Sequence, residues 1–290
     1  KAMFTNRRAK NDFKERIAIF CPAEYEREVA FHRTLTEFQY ALSNGRITYY
    51  LQPQVDMETG KIIGAEALTR WIDKDGSLIS PATFIPALEE SGFVVTLDKY
   101  NKYIWQGVAI WLRERLDRGL RVVPVSLNVS RVDILACDVA EHMGALAAQY
   151  NLPPELMRIE ITETAYTGES EAVDKLTADL HTRGFSTYMD DFGTGQSTLA
   201  MLKNVNVDVI KLDRTFVPVD GDRGRSAQIV SSMLEMAQSL HLPVVIEGIE
   251  TNEQANMLRH MGARYAQGFL YYRPMQANDF EALLDGGNNN

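Results

Sequence analysis

The sequence is poor in the residues from which most soft-metal and redox sites are built. Its 290 residues contain two cysteines, Cys21 and Cys137, too few for a disulfide framework, so a reducing cytoplasm is the default expectation. Five histidines are scattered, with no His-x-x-x-His pair, and no Cys-x-x-Cys occurs, which argues against the usual zinc site. Lys and Arg number 30 against 39 Asp and Glu, and a net charge of −9 disfavours a surface for duplex nucleic acid. No run approaches the roughly 18 apolar residues of a membrane span, and no signal peptide is visible. The chain begins at Lys1 and reads as a piece of something longer, so a membrane anchor elsewhere in the parent stays open. "DFG" at 192 and its neighbours is not a kinase mark, because no Walker lysine, "HRD" or "VAIK" accompanies it.

What is present is ordinary globular material, 45% hydrophobic and 24% charged, enough for one barrel-sized domain or two smaller ones. Residues 24–42 carry a helical stripe through Leu35, Phe38 and Leu42, stopped by "SNG" with Gly45 as a C-terminal cap. Two strands follow, 46–55 and 61–71, joined by a turn too short for anything but antiparallel pairing. Then strands and helices alternate. Helices are expected from Ser80 as N-cap, over 96–117, to about 150, near 170–182, to about Lys203, over 223–240, 252–261 and 277–285. Strands are expected at 121–130, 157–163, 185–191, 208–213, 243–250 and 263–268. About eight strands alternating with helices predict an α/β fold, a TIM-like (β/α)8 barrel whose first strand is antiparallel. The tail after 286 is polar and reads as loose.

The strand runs end in residues that apolar cores reject: Glu66, Asn128, Glu160 and Glu163, Asp190 and Asp191, Lys211, Glu247 and Gln267. In a parallel barrel those ends share one rim, where active sites sit. Adjacent aspartates repel by about 1 kcal/mol in water and about 4 in a partly shielded site. A ring of carboxylates therefore implies cations, and oxygen donors without Cys or His imply a hard metal, Mg²⁺ or Mn²⁺, or Ca²⁺. Two neighbouring ions with one bridging aspartate would suit two-metal phosphoryl hydrolysis. Alternation sets Glu66, Leu68 and Arg70 on one face, so Arg70 could take a phosphate oxygen. Lys211, inside an apolar strand, is expected to face the acids.

"EALTRW", "SLNVS", "IEITET", "DDFGTG", "VIKLDRTFV", "VIEGIET" and "AQGFLYYRPM" together resemble the motif set of the EAL domain, across roughly residues 24–286. The resemblance implies a phosphodiesterase that opens cyclic di-GMP to the linear dinucleotide pGpG, on a barrel with a reversed first strand. It implies Glu66, Asn128, Glu160 and Asp190 on a first metal and Asp190 with Asp191 on a second. Lys211 and Glu247 would position or deprotonate water, with Glu66 also in the catalytic set and Gln267 supporting that network. Glu163 would anchor the "DFGTG" loop, and Gln52 and Arg70, with Gln267, would contact substrate. Ca²⁺ would fill the sites without supporting chemistry, and a homodimer through the barrel is compatible with the resemblance. Gln196 departs from the aromatic usual after that loop, which bears on loop rigidity. Residues 1–23 resemble the end of a GGDEF domain with a linker, 24–286 the barrel, and 287–290 a disordered tail.

Two rivals remain on the sequence. A receptor of the same fold would bind cyclic di-GMP without cutting it, but such proteins are expected to lack ligands that are all present here. A retaining glycosidase using Glu160 and Glu247, about 5 Å apart, would need no metal and would leave Lys211 and the aspartate pair without a task.

Overall fold

The computed structural model describes residues 21–90, 94–168, 170–194, 206–217 and 224–286. The expected helix ending near Lys203, Gln196, and nearly all of the GGDEF-like stretch and tail lie outside them. The chain divides into two compact units, Lys1–Thr48 with Arg70–Thr96, and Tyr49–Thr69 with Leu97–Asn290.

In the smaller unit, α1 (Pro22–Ser43) ends where Gly45 takes φ +65°. Gly45 N–H donates to Leu42 O at 3.2 Å and Arg46 N–H to Ala41 O at 2.9 Å, which satisfies the last carbonyls of the helix. Phe38 of α1 packs at 5.4 Å against both Trp71 and Phe84, the latter on α2 (Pro81–Glu90). Aromatic contacts of this kind contribute about 0.5–1.5 kcal/mol each beyond area burial. A short strand β3 (Leu78–Ile79), unexpected from the sequence, pairs antiparallel with Trp71 and Ile72.

The sheet of the larger unit is made of β4 (Val125–Val129), β5 (Met157–Thr162), β6 (Ser186–Phe192), β7 (Val209–Leu212), β8 (Val244–Ile246) and β9 (Tyr265–Ala266), with β1 (Ile47–Asp56) from Tyr49 on and β2 (Ile62–Ile72) as far as Thr69. They hydrogen-bond in the order β1-β9-β8-β7-β6-β5-β4-β2, and a β1–β2 pairing closes the ring into an eight-stranded barrel. Strand β1 runs antiparallel to β9, while the six steps from β2 to β9 are parallel. The reversal of β1 follows from its short turn to β2, in which Asp56 N–H donates to Lys61 O at 2.9 Å.

Helices α3 (Val94–Asp117), α4 (Arg131–Ala136), α5 (Val139–Gln149), α6 (Glu163–Gly168), α7 (Ser170–Thr182), α8 (Arg225–Ser239), α9 (Asn252–His260) and α10 (Ala277–Gly286) follow the strands. One core joins outward strand residues such as Leu127, Ile159 and Ile161 to helix residues such as Met143, Val173 and Leu180. The expected helix to residue 150 is two helices, because Asp138 caps the second by accepting from Glu141 N–H at 2.9 Å. Strand β4 starts four residues later than expected, after Pro124, which has no N–H to give the ladder. Strand β8 stops before Gly248, whose φ of +70° turns the chain out of the sheet. Glu163 opens α6 rather than ending β5.

Candidate active site

Inward residues of the parallel strands gather at their C-terminal ends. Register sets Asn128 beside Glu160 and Thr162 beside Asp190. Lys211, on β7 between Ile210 and Leu212, turns inward as the alternate residue of an otherwise apolar strand and is 1% exposed. Its Nζ lies 2.7 Å from Glu160 Oε2, 2.7 Å from Glu247 Oε1, 2.9 Å from Asp190 Oδ1 and 3.2 Å from Glu66 Oε2. One ammonium thus meets four carboxylates contributed by residues up to 181 positions apart, taking 247 minus 66.

Asp190 and Asp191 are consecutive, and on a regular strand their side chains would leave by opposite faces. They do not, because the register of β6 on β7 shifts between Met189 and Phe192 and Asp191 takes φ +56°. This bulge, with a left-handed aspartate, returns the second carboxylate to the side of the first. Ligand atoms of Asp190, Asp191 and Glu247 then lie within 4.8 Å of one another, as do those of Glu66, Glu160 and Asp190. Asp190 belongs to both groups.

The surrounding amides order this cluster. Asn128 Nδ2 donates to Glu66 Oε1 at 2.9 Å, and Gln267 Nε2 donates to Glu66 Oε2 at 2.7 Å. Gln267 Nε2 also reaches Gln52 Oε1 at 3.2 Å, and Gln52 Nε2 donates to Tyr272 O at 3.2 Å. Glu163 Oε2 accepts from Gly193 N–H at 2.6 Å, tying the start of α6 to the turn after β6. Arg70 falls in the smaller unit, half-buried on β2.

Charge is unevenly distributed in this cluster. Burial pushes the Glu66 carboxyl up, but Lys211, Asn128 and Gln267 outweigh it and hold the group below the usual carboxylate range. Burial and the adjacent Glu66 and Asp190 drive Glu160 well up, against Lys211. Glu247 is pushed up to about 8 by burial, with Lys211 opposing and Asp190 and Glu66 adding. Asp191 rises to about 6 through burial, Asp190 and Asp213. Burial pulls Lys211 down, but Asp190, Glu160, Glu247 and Glu66 overcome it and hold the ammonium charged.

Several residues lining the same cleft were not singled out from the sequence. The cleft, of about 230 Å³, is bordered by Gln52, Glu66, Asp190, Glu247 and Gln267 and also by Arg214 and Phe269. Phe269 is 47% exposed, and the Arg273 guanidinium lies 4.3 Å from its ring centroid. Below the acids lie Gln54 and Arg158, joined at 3.3 Å. Period-two alternation from Gln52 and from Glu160 was the available signal for these two.

The donors available to a cation are carboxylate and amide oxygens, a set that fits a hard divalent ion. Glu160 Oε1 is buried with no hydrogen-bond partner among the described residues, so that oxygen is available as a ligand.

The chain is similar to known proteins of one kind. The chain is 33% identical over 247 residues, 83% of its length, to "Probable cyclic di-GMP phosphodiesterase PdeB" of Escherichia coli K12, and covers 45% of that protein. It is 32% identical over 261 residues to "Cyclic di-GMP phosphodiesterase RocR" of Pseudomonas aeruginosa, covering 89% of this chain and 65% of that one. It thus spans less than two thirds of these curated relatives. The solved structure "PaMucR Phosphodiesterase, c-di-GMP complex" superposes with a TM-score of 0.79 at 29% identity, covering 86% of this chain and 99% of that one. The family described as "EAL domain" matches residues 35–274, and the chain belongs to it.

Proposed function

We propose that this chain hydrolyses one phosphodiester bond of cyclic di-GMP, giving linear pGpG, with two divalent ions, Mg²⁺ or Mn²⁺, held at the strand ends. The observation that carries the reading is the pair of carboxylate groups sharing Asp190, with one ammonium against four acids. Relatives named as phosphodiesterases of this nucleotide support the substrate, as does the related structure titled as its complex.

Glu66, Asn128, Glu160 and Asp190 would hold the first ion. The Asn128 amide nitrogen is turned to Glu66, which leaves its carbonyl oxygen as the donor. Asp190 and Asp191 would hold the second, with Glu247 grouped beside them. Bound there, the ions would lower the pKa of water and offset charge on the phosphoryl oxygens. Lys211 holds a fixed positive charge at the centre of the acids and can orient the attacking water or meet charge developing on phosphate. Glu247, only partly exposed and beside Lys211, would take the proton of that water. Gln267 and Asn128 keep both oxygens of Glu66 aimed. Gln52 borders the cleft and can contact the nucleotide. Glu163, which accepts from Gly193 N–H, would anchor that turn next to Asp191.

A hydrolysis assay with Mg²⁺ or Mn²⁺, with and without chelator, tests the reading. Loss of the cyclic compound with appearance of pGpG, abolished by chelation, is the expected result. Binding without turnover would make the chain a receptor, and turnover surviving chelation would remove the metal mechanism.

A further inference from the structure

Beneath the acids, Arg158, Gln54 and Tyr188 have no part in the hydrolytic roles above. A chain of hydrogen bonds rises from Arg158 through Gln54 and Gln267 to Glu66. Arg158 Nη1 donates to Gln54 Oε1 at 3.3 Å, Gln54 Nε2 donates to Gln267 Oε1 at 3.1 Å, and Gln267 Nε2 donates to Glu66 Oε2 at 2.7 Å. The two ends differ in kind. A guanidinium can only donate, and a carboxylate can only accept. Between them stand two glutamine amides, whose oxygen and nitrogen ends have nearly the same shape, so packing alone does not choose which end faces which way. The donor at the bottom sets Gln54, and the acceptor at the top, with Gln52 Oε1 as a second acceptor for Gln267 Nε2, sets the same direction for Gln267.

The guanidinium itself is held. Its Nη2 donates to Ile63 O at 3.4 Å and its carbon lies 5.3 Å from the Tyr188 ring centroid. Gly64 leaves the room it occupies, since a Cβ there would run into Nη1.

We propose that Arg158 is a positioning residue for the metal site: through Gln54 it supports the direction of the Gln267 amide and so keeps Glu66 Oε2 aimed as a metal ligand. The proposal rests on the metal-dependent reading above. It assigns a task to a residue that touches neither metal nor substrate, and it makes the polarity of the bottom residue, rather than its bulk, the controlling property.

The test is Mn²⁺ affinity, from titration calorimetry and from the metal-dependent rise in unfolding temperature, with kcat and KM followed alongside. In Arg158→Glu an acceptor replaces the donor, Gln54 reverses, and its oxygen is set against Gln267 Oε1, which works against the hold of Gln267 on Glu66 Oε2. Mn²⁺ affinity should fall by about 10-fold or more, as for other outer partners of metal ligands. Arg158→Lys, which keeps a donor, should recover most of the loss. Gln54→Leu cuts the chain in the middle and should also weaken Mn²⁺, and adding Arg158→Met to it should cost no further affinity. Wild-type Mn²⁺ affinity in Arg158→Glu and Gln54→Leu, with only lower unfolding temperatures, would make the floor merely structural and overturn the proposal. If Arg158→Glu does not fold, Gln54→Leu decides by itself. Absence of Mn²⁺ binding by the wild-type protein is a separate result, which would remove the metal reading and this proposal together.

Discussion

The two faces of the same barrel strands make opposite use of burial. On β5, Ile159 and Ile161 are fully buried in the core that includes the helices, while Arg158 and Glu160 alternate with them on the inside. On β7, Ile210 and Leu212 join that outer core, and Lys211 sits inward at 1% exposure. The outward face gains stability from each methylene it covers, at roughly 25 cal/mol per Å². The inward face carries like charges that burial and proximity drive away from their ordinary ionisation. Stability therefore comes from one face, and the other holds the chemistry at a cost that bound cations would offset.

That contrast can be broken most sharply from the inside. Asp190→Asn removes the carboxylate shared by both acidic groups, and turnover in the hydrolysis assay should fall to background while circular dichroism stays native. Lys211→Met leaves four carboxylates without their cation. It should abolish turnover and destabilise the protein by about 3–5 kcal/mol in denaturant unfolding, the cost of breaking a buried ion pair. A stable Lys211→Met variant would mean that the acids hold protons instead.

The outer face should give the reverse pattern. Ile161→Ala should lower stability by about 2–5 kcal/mol, with kcat per folded molecule unchanged when measured well below the unfolding temperature. A large kcat loss would show that the two faces are not separable.

A pH experiment sharpens the same comparison. Glu247 is pushed up to about 8 and Asp191 to about 6, both above their unfolded values. Folding favours their protonated forms, so this contribution to stability is present below the unfolded carboxylate pKa near 4 and is lost as pH rises through 6 and then 8. A divalent ion binds the ionised forms. Mg²⁺ should therefore raise the unfolding temperature more at about pH 8.5 than at about pH 5. Equal increments at both would count against Asp191 as a ligand and against an ion seated beside Glu247.

The smallest expected effect is at the bulge. Asp191→Gly relieves a left-handed aspartate at φ +56° and should stabilise the metal-free protein by about 1 kcal/mol, while weakening metal binding. Loss of stability instead would show that the Asp191 carboxylate itself supports the fold.

Much of this was legible in the residues. The stripe of α1, the short turn that reverses β1, and polar residues closing apolar runs all follow from local periodicity and turn chemistry, which act over a few residues. The chain order of the motifs carried the family. Three features did not show. The register shift at Asp191 depends on how β6 seats against β7, so alternation alone would have parted the two aspartates. The length of β4 depended on Pro124 losing a ladder donor, and the break after Ala136 on a cap at Asp138.

By itself the sequence determined the order of strands and helices, the sign of charge at the strand ends and the family, because each is written in neighbouring residues. Only the tertiary structure decided that Lys211 meets four acids at once, that Asp190 and Asp191 share a side, and that Arg158 reaches Glu66 through two amides. The first and last of these join residues tens to hundreds of positions apart, at distances that closing the barrel sets, while the side of Asp191 is set by how β6 seats against β7.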